Sequence, residues 1–275
     1  MQAQKLAVRE QIVKTVVKSG NGGAVWVPKG WLGEEVVVIL PEKPKLDVKE
    51  KVIHLLEPYL KEIISVGIYG SYARNEHSKD SDIDVLVITE DNSLKLDFKE
   101  EKLDIVSLPV DKLKMAIEKY PVIYYFMVQE AEPLINGYVL QELKNIKISR
   151  ESFKAYLRET KDHLKSSKEL LELDKIDDIY LKSYSILYSS ILRLRGLFII
   201  KCIIGKNKFS GKEFKNWLFN LGLNPYEFES SYRAYRMIRD NEDTKSLRIK
   251  IGIAEKVLGI LENEIRKLEA RIYGK

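Results

Sequence analysis

Two hydrophobic periods alternate along residues 45–149. Val48, Val52, Leu55, Leu56, Tyr59 and Leu60 recur every three to four positions, which predicts a helix over about 46–62 with one buried stripe. Residues 63–69 then form a short apolar run ending at Gly70, and 85–89 form another; both read as strands. Leu94, Leu96 and Phe98 alternate with Lys95, Asp97 and Lys99, the pattern of a short edge strand. Residues 102–108 read as a further strand, and helices are predicted over about 110–119 and 122–129.

The period lengthens after residue 149. Ser149 or Ser152 caps a long helix whose apolar face carries Phe153, Tyr156, Leu157, Thr160, Leu164, Leu170 and Leu171. Further helices are predicted over 179–204, 211–221, 224–240 (opened by Asn224-Pro225) and 244–272, which together make an antiparallel bundle. Tyr180, Tyr184 and Tyr188 at i, i+4 spacing read as core. Before residue 45 the signals are those of strands, at 11–18, 24–27 and 35–40, around a turn at 19–23 and a short helix or turn at 28–33. Pro41 and Pro44 bracket a charged linker that interrupts helix and sheet alike. The expected class is therefore α+β in three parts: a small β module (1–44), a mixed-sheet domain with flanking helices (45–149) and a helical bundle (150–275).

Composition changes this picture little and charge somewhat more. Of 275 residues, 45% are hydrophobic and 32% charged, as expected of a chain with a sizeable core and a solvated surface. The single cysteine, Cys202, excludes a disulfide framework and lies in an apolar run that predicts a buried, inert thiol. No segment is apolar for long enough to span a membrane, and the first residues lack a signal-peptide core, so the expected location is cytoplasmic. The net charge of +5 is uneven: +2 over residues 1–44, −4 over 45–150 and +7 over 151–275. The basic C-terminal part permits an anionic partner such as RNA, although solvated helix faces give the same excess.

The chemistry concentrates in residues 66–84, Val-Gly-Ile-Tyr-Gly-Ser-Tyr-Ala-Arg-Asn-Glu-His-Ser-Lys-Asp-Ser-Asp-Ile-Asp. Strand side chains alternate faces, so Asp82 and Asp84 project together, roughly 6 to 7 Å apart along the strand. Two carboxylates at that spacing suit one or two hard divalent cations. Gly70 lets the backbone approach a ligand closely. Ser71 stands where the strand gives way to a short helix, whose free N–H groups favour an anion such as phosphate. A phosphate cradle beside metal-binding carboxylates reads as phosphoryl or nucleotidyl transfer. His54 has no ligand partner at i±3 or i±4 and reads as a surface or packing residue; His77 reads as a solvated loop residue.

Gly70-Ser71, a gap over 72–81 and Asp82-Ile83-Asp84 between two strands resemble the nucleotidyltransferase superfamily of the DNA polymerase beta type. The Ser81-Asp82-Ile83-Asp84 version is similar to the minimal and aminoglycoside nucleotidyltransferases. Asn75 stands where many relatives carry Gly; Asn tolerates a left-handed backbone, so the turn is expected to persist. The resemblance implies a third carboxylate on a later strand. Asp104, followed by Ile-Val-Ser-Leu-Pro, matches that pattern, with Asp97 as the rival position. Residues 132–137 resemble the short strand that ends such domains. The resemblance further implies Asp82, Asp84 and Asp104 as catalytic and metal ligands for two Mg²⁺ ions (or Mn²⁺). Gly70, Ser71, Arg74 and Ser81 would bind an NTP, ATP foremost. The acceptor hydroxyl belongs to a protein, an RNA 3′ end or a small molecule, and lies between the acidic domain and the basic bundle.

Two further resemblances flank this domain. Lys18-Ser-Gly-Asn-Gly-Gly23 with Val25-Trp-Val-Pro28 and Trp31-Leu-Gly33 is similar to AbrB-like swapped-hairpin modules, which implies a homodimer formed by strand exchange, with DNA contact as an option. The helical part resembles HEPN-type bundles at 232–239, but no His follows Arg239 at the spacing of their ribonuclease members. Arg233, Arg236 and Arg239 recur every three residues and either bind phosphates or pair with Glu227, Glu229, Asp240 and Glu242. The alternative to an enzyme is a non-catalytic nucleotide-, DNA- or partner-binding regulatory dimer such as an antitoxin.

Overall fold

The computed structural model describes residues 10, 12, 14–38, 47–79, 81–96, 98, 102–177 and 179–274, with only the backbone of residue 177. The chain divides into two compact units, residues 1–45 and 46–275.

In the first unit, Val17–Ser19 (β1) and Gly22–Ala24 (β2) pair antiparallel, with Val17 opposite Ala24. Gly20 takes φ +57 in the two-residue loop between them, where a hairpin needs a residue free to turn left-handed. Both strands are shorter than the apolar pattern predicts. The expected strand at 35–40 does not form over 34–38, and residues 39 and 40 lie outside the described residues. Val36, Val37 and Val38 stand exposed, and among the described residues no ladder pairs with them to hold them extended.

The second unit is built on a four-stranded mixed sheet, α+β as expected. Ile63–Tyr69 (β3), Ile83–Thr89 (β4), Leu103–Pro109 (β5) and Glu132–Ile135 (β6) lie in the order β5-β4-β3-β6. β3 runs antiparallel to β4 and β6; β4 and β5 are parallel, with Asp84 opposite Asp104. Val48–Leu56 (α1) covers one face, packing Val52 and Leu56 on Val66, Ile68, Val85 and Val87. Its start is set by a capping box between Asp47 and Glu50, and Pro58 helps turn its end into a single tight turn at Glu57–Tyr59, short of the predicted residue 62. His54 is exposed on α1, its Nδ1 3.6 Å from Glu57. The opposite face carries Leu86 and Ile88 under Val110–Lys119 (α3), Tyr124–Glu130 (α4) and Gly137–Lys144 (α5). The segment predicted as an edge strand forms none over its described residues. Leu94 donates its N–H to Ser107 Oγ at 2.9 Å instead, and Leu94, Leu96 and Phe98 pack on the α1 side.

The bundle follows in the same compact unit. Lys154–Asp177 (α6), Ser185–Gly205 (α7), Gly211–Asn220 (α8), Pro225–Arg239 (α9) and Ile251–Tyr273 (α10) surround one large apolar core. Ser149 and Asn224 accept N–H bonds at the starts expected of them, and Ser210 does the same at the start of α8. α7 starts later than predicted. The Asp174 carboxylate accepts the N–H groups of Lys182 and Ser183, pinning a non-helical turn. Tyr180 therefore bridges to Lys250 rather than joining Tyr184 and Tyr188 on a helix face; the latter two do pack on the core. α10 also starts late, after a short turn at Thr244–Ser246. α7 is apolar nearly all round and Cys202 is buried within it, its thiol pushed up to about 11 by burial. Even so, among the described residues no helix is long and apolar enough to cross a membrane.

Two glycines test this packing with opposite signs. A Cβ at Gly67 in β3 would lie 3.1 Å from the Glu132 carbonyl oxygen and 3.2 Å from Ala131 Cβ. Gly67→Ala should cost about 1–3 kcal/mol in chemical denaturation. Nothing lies within 4 Å of the equivalent point at Gly259 in α10, so Gly259→Ala should stabilise by roughly 0.5–1 kcal/mol.

Candidate active site

β3 delivers the chain to Tyr69 and breaks at Gly70, which takes φ +73 and opens the four-residue helix Gly70–Ala73 (α2). A side chain here would overlap the Asp84 carboxylate. The glycine thus serves both the turn and the close approach of loop and strand. Asn75 takes φ 56, the left-handed turn expected of it. His77 is the exposed loop residue expected of it, and its ring stacks on Tyr72 with centroids 4.1 Å apart.

The carboxylates sit at the end of the sheet face that carries Leu86 and Ile88. Asp84 and Asp104 are cross-strand partners on β4 and β5, and Asp82 lies two residues before Asp84. Helices α3 to α5 cover the apolar part of this face and leave the carboxylate end open. Asp84 is pushed up to about 6, first by burial and then by the Asp104 charge; Asp82 adds to the push, while Arg74 and Arg195 pull against it. Tyr69, beside them, is raised well above its usual value by burial and by the charges of Asp84, Asp104 and Glu130. Negative charge is therefore in surplus here. Hard oxygen donors in surplus suit a divalent cation, and Asp82, Asp84 and Asp104 are the residues that would hold one. The fit is electrostatic: among the described residues no three His, Cys, Asp or Glu side chains close on a single point as a formed metal cage.

Arg74 is engaged by protein carboxylates. Its guanidinium donates to both oxygens of Glu130, at 2.6 and 2.7 Å, and its Nε donates to Glu76 at 2.9 Å. Glu130, at the end of α4, also accepts the Gly70 backbone N–H; burial raises its carboxyl while Arg74 lowers it. Glu76 in turn accepts the Gly211 N–H at the start of α8, at 2.8 Å. One chain of hydrogen bonds thus runs from α4 through the Gly70 loop to the bundle.

A cleft of about 1510 Å³ opens between the sheet end and the bundle. Gly70, Ser71, Ser81, Asp82 and Asp84 line one wall, and Tyr156, Arg193, Arg195, Phe209, Tyr232 and Arg236 the other. Ser81 closes the turn before Asp82, its Oγ accepting the Ser78 N–H at 2.9 Å. Asp104 is exposed opposite Asp84 on the neighbouring strand and is not among the residues lining the cleft. The rival third carboxylate, Asp97, lies outside the described residues. Arg239 pairs with Asp240, as one expectation had it, but Glu227 and Glu229 pair with Lys256 and Lys215 instead; Arg236 stacks on Tyr232. Sequence reasoning missed Glu130, Glu76, Phe209 and Arg195. The first three leave no local signal. Arg193 and Arg195 do, as two charges interrupting the apolar run of α7.

No curated protein matches the chain at a significant level. A solved structure that resembles it is a nucleotidyltransferase-like protein from Exiguobacterium sibiricum 255-15, with 12% sequence identity, a TM-score of 0.35, and 82% of this chain and 78% of that chain covered. Residues 50–137 match the family model described as "Polymerase beta, Nucleotidyltransferase". That span runs from α1 to the start of α5 and contains Gly70, Ser71, Asp82, Asp84 and Asp104, so this part of the chain is a nucleotidyltransferase domain of the polymerase beta type.

Proposed function

We propose that the protein is a metal-dependent nucleotidyltransferase that moves a nucleoside monophosphate from an NTP, ATP foremost, to an acceptor hydroxyl with release of pyrophosphate. The observation that carries this reading is the Asp84–Asp104 pair, in register on parallel strands beside Asp82, at the mouth of a cleft opened by Gly70. Asp82, Asp84 and Asp104 would hold Mg²⁺ or Mn²⁺, which in such a site neutralises charge developing on the phosphoryl oxygens. Gly70 and Ser71 hold the nucleotide close to that strand end. Asp104 is the more exposed of the cross-strand pair and receives the proton of the attacking hydroxyl. The acceptor, whether a protein, an RNA 3′ end or a small molecule, enters where the bundle faces the sheet. The exposed apolar side chains Trp26, Leu32 and Val36–Val38 of the first unit support a homodimer.

Incubation with labelled ATP and Mg²⁺ should release pyrophosphate, and Asp82→Ala with Asp84→Ala should abolish it; release persisting in the double variant defeats the reading. Labelled-NTP transfer onto a cell extract, separated into protein, RNA and small molecules, identifies the acceptor class. Asp104→Asn should lower turnover by about 10²–10⁴-fold while leaving NTP binding largely intact, as measured by equilibrium dialysis.

The same charge surplus has a stability signature. The folded carboxyl of Asp84 titrates near 6, above its unfolded value of 3.8. Its ionised form therefore destabilises the fold, a cost absent below the unfolded value and fully present above 6. Asp84→Asn should raise unfolding free energy by roughly 1–2 kcal/mol at pH 8, after discounting for solvent, and by almost nothing at pH 3.5. Urea titrations across that range measure it.

A further inference from the structure

A nucleoside triphosphate brings several negative charges to a wall that already holds Asp82 and Asp84, with Asp104 opposite Asp84 on the next strand. The Gly70 loop has little positive charge to offer in return. Its one arginine, Arg74, is committed to Glu130 and Glu76, and the Gly70 N–H donates to Glu130. The compensating cation has to come from elsewhere, and the far wall of the cleft supplies it.

Arg195 projects from α7 into that cleft. Among its neighbours on the bundle, Arg193 lies 3.6 Å from Glu159 and over the Tyr156 ring, Arg239 is hydrogen-bonded to Asp240, and Arg236 lies over the Tyr232 ring. Among the described residues no carboxylate is hydrogen-bonded to Arg195. Its guanidinium lies 5.3 Å from the centre of the Phe209 ring, and Arg74 lies 5.4 Å from the same ring. The aromatic plate holds the guanidinium in place without neutralising it. Its charge also reaches the site, acting on both Asp84 and Glu130. A planar guanidinium with its donors unspent matches phosphate oxygens in a bidentate fashion.

We propose that Arg195 binds the polyphosphate of the nucleotide, so that the nucleotide site is shared between the nucleotidyltransferase sheet and the helical bundle. This rests on the nucleotidyltransferase reading given above. It makes the bundle part of the nucleotide site, with Phe209 as the plate that orients the cation. The cleft exceeds the roughly 300–1,000 Å³ usual for one small ligand, which leaves space for an acceptor beside the nucleotide.

The experiment is equilibrium dialysis of the full chain with Mg²⁺ and ATP, ADP, AMP or inorganic tripolyphosphate, using wild type, Arg195→Gln and Arg195→Lys. Arg195→Gln should weaken ATP and tripolyphosphate by about 10- to 100-fold, the range of a charge-assisted contact. It should weaken ADP less and AMP less than about twofold, with Arg195→Lys recovering most of the loss. A structural role would not sort ligands by phosphate number. Equal weakening of ATP and AMP, or none, overturns the proposal. Should Arg195→Gln fail to fold, Phe209→Leu is read by the same ATP-to-AMP ratio and decides in the same way. Pyrophosphate release measured in parallel separates the two levels. Wild-type release with unchanged ATP affinity in Arg195→Gln sinks the role of Arg195 and leaves transfer standing. Arg195-dependent tripolyphosphate binding by a wild type that releases nothing from any of the four NTPs supports the phosphate site and sinks transfer. A wild type that binds neither ATP nor tripolyphosphate sinks both.

Discussion

Negative charge gathered at one sheet end, half-buried at Asp84 and exposed at Asp104, is the constraint around which the cleft is arranged. Asp84 and Asp104 are placed opposite one another by the parallel register of β4 and β5, and Glu130 is brought beside the Gly70 loop by α4. Removing ionised carboxylates from water is costly unless cations or hydrogen bonds compensate. Arg74 answers Glu130 with a two-oxygen contact, and Gly70 adds its backbone N–H. Among the described residues Asp84 has no such direct partner, and burial with the Asp104 charge pushes its carboxyl up to about 6. A carboxylate kept at a strand end where its charge is disfavoured lowers stability, and such perturbed groups concentrate at functional sites.

The hydrogen-bond chain through Glu76 joins the Gly70 loop to the bundle, alongside the packing of Val122 and Phe126 on the bundle core. Glu76 accepts from Arg74 on one side and from the first residue of α8 on the other. An anion at a helix N-terminus is favourable on its own account. Here it also fixes the distance between the Gly70 loop and the aromatic group of Phe198, Phe209, Phe214 and Trp217. Phe209 lies between two guanidiniums from different parts of the chain, Arg74 from the loop and Arg195 from α7. The walls of the cleft are thereby registered to each other by contacts that are neither purely apolar nor purely ionic.

α7 shows how a buried helix carries function. Nearly every side is apolar, and residues from Ile186 to Cys202 pack into the bundle core. Gly196 lets Tyr156 approach so closely that a methyl group there would overlap the phenol oxygen. Arg193 and Arg195 break this surface one residue before and one after Leu194, which turns part of a core helix into a polar wall.

Much of this was legible along the chain because its causes are local. Alternation of faces in 83–89, the helix starts at Ser149 and Asn224, and the left-handed turn at Asn75 each depend on a few neighbouring residues. So does the spacing from Gly70-Ser71 to Asp82-Ile83-Asp84, which sets two carboxylates and a close-approach turn without reference to the rest of the fold. What depends on pairing across distance was not legible. The apolar run at 36–38 has no partner strand among the described residues and stays irregular; Tyr180 leaves its predicted helix because Asp174 captures the turn after it. The parallel register that sets Asp84 against Asp104, the capture of Arg74 by Glu130, and the delivery of Arg195 to the same cleft were decided only by tertiary structure. These contacts join residues tens to over a hundred positions apart, and no periodicity within either segment encodes which distant charge it will meet.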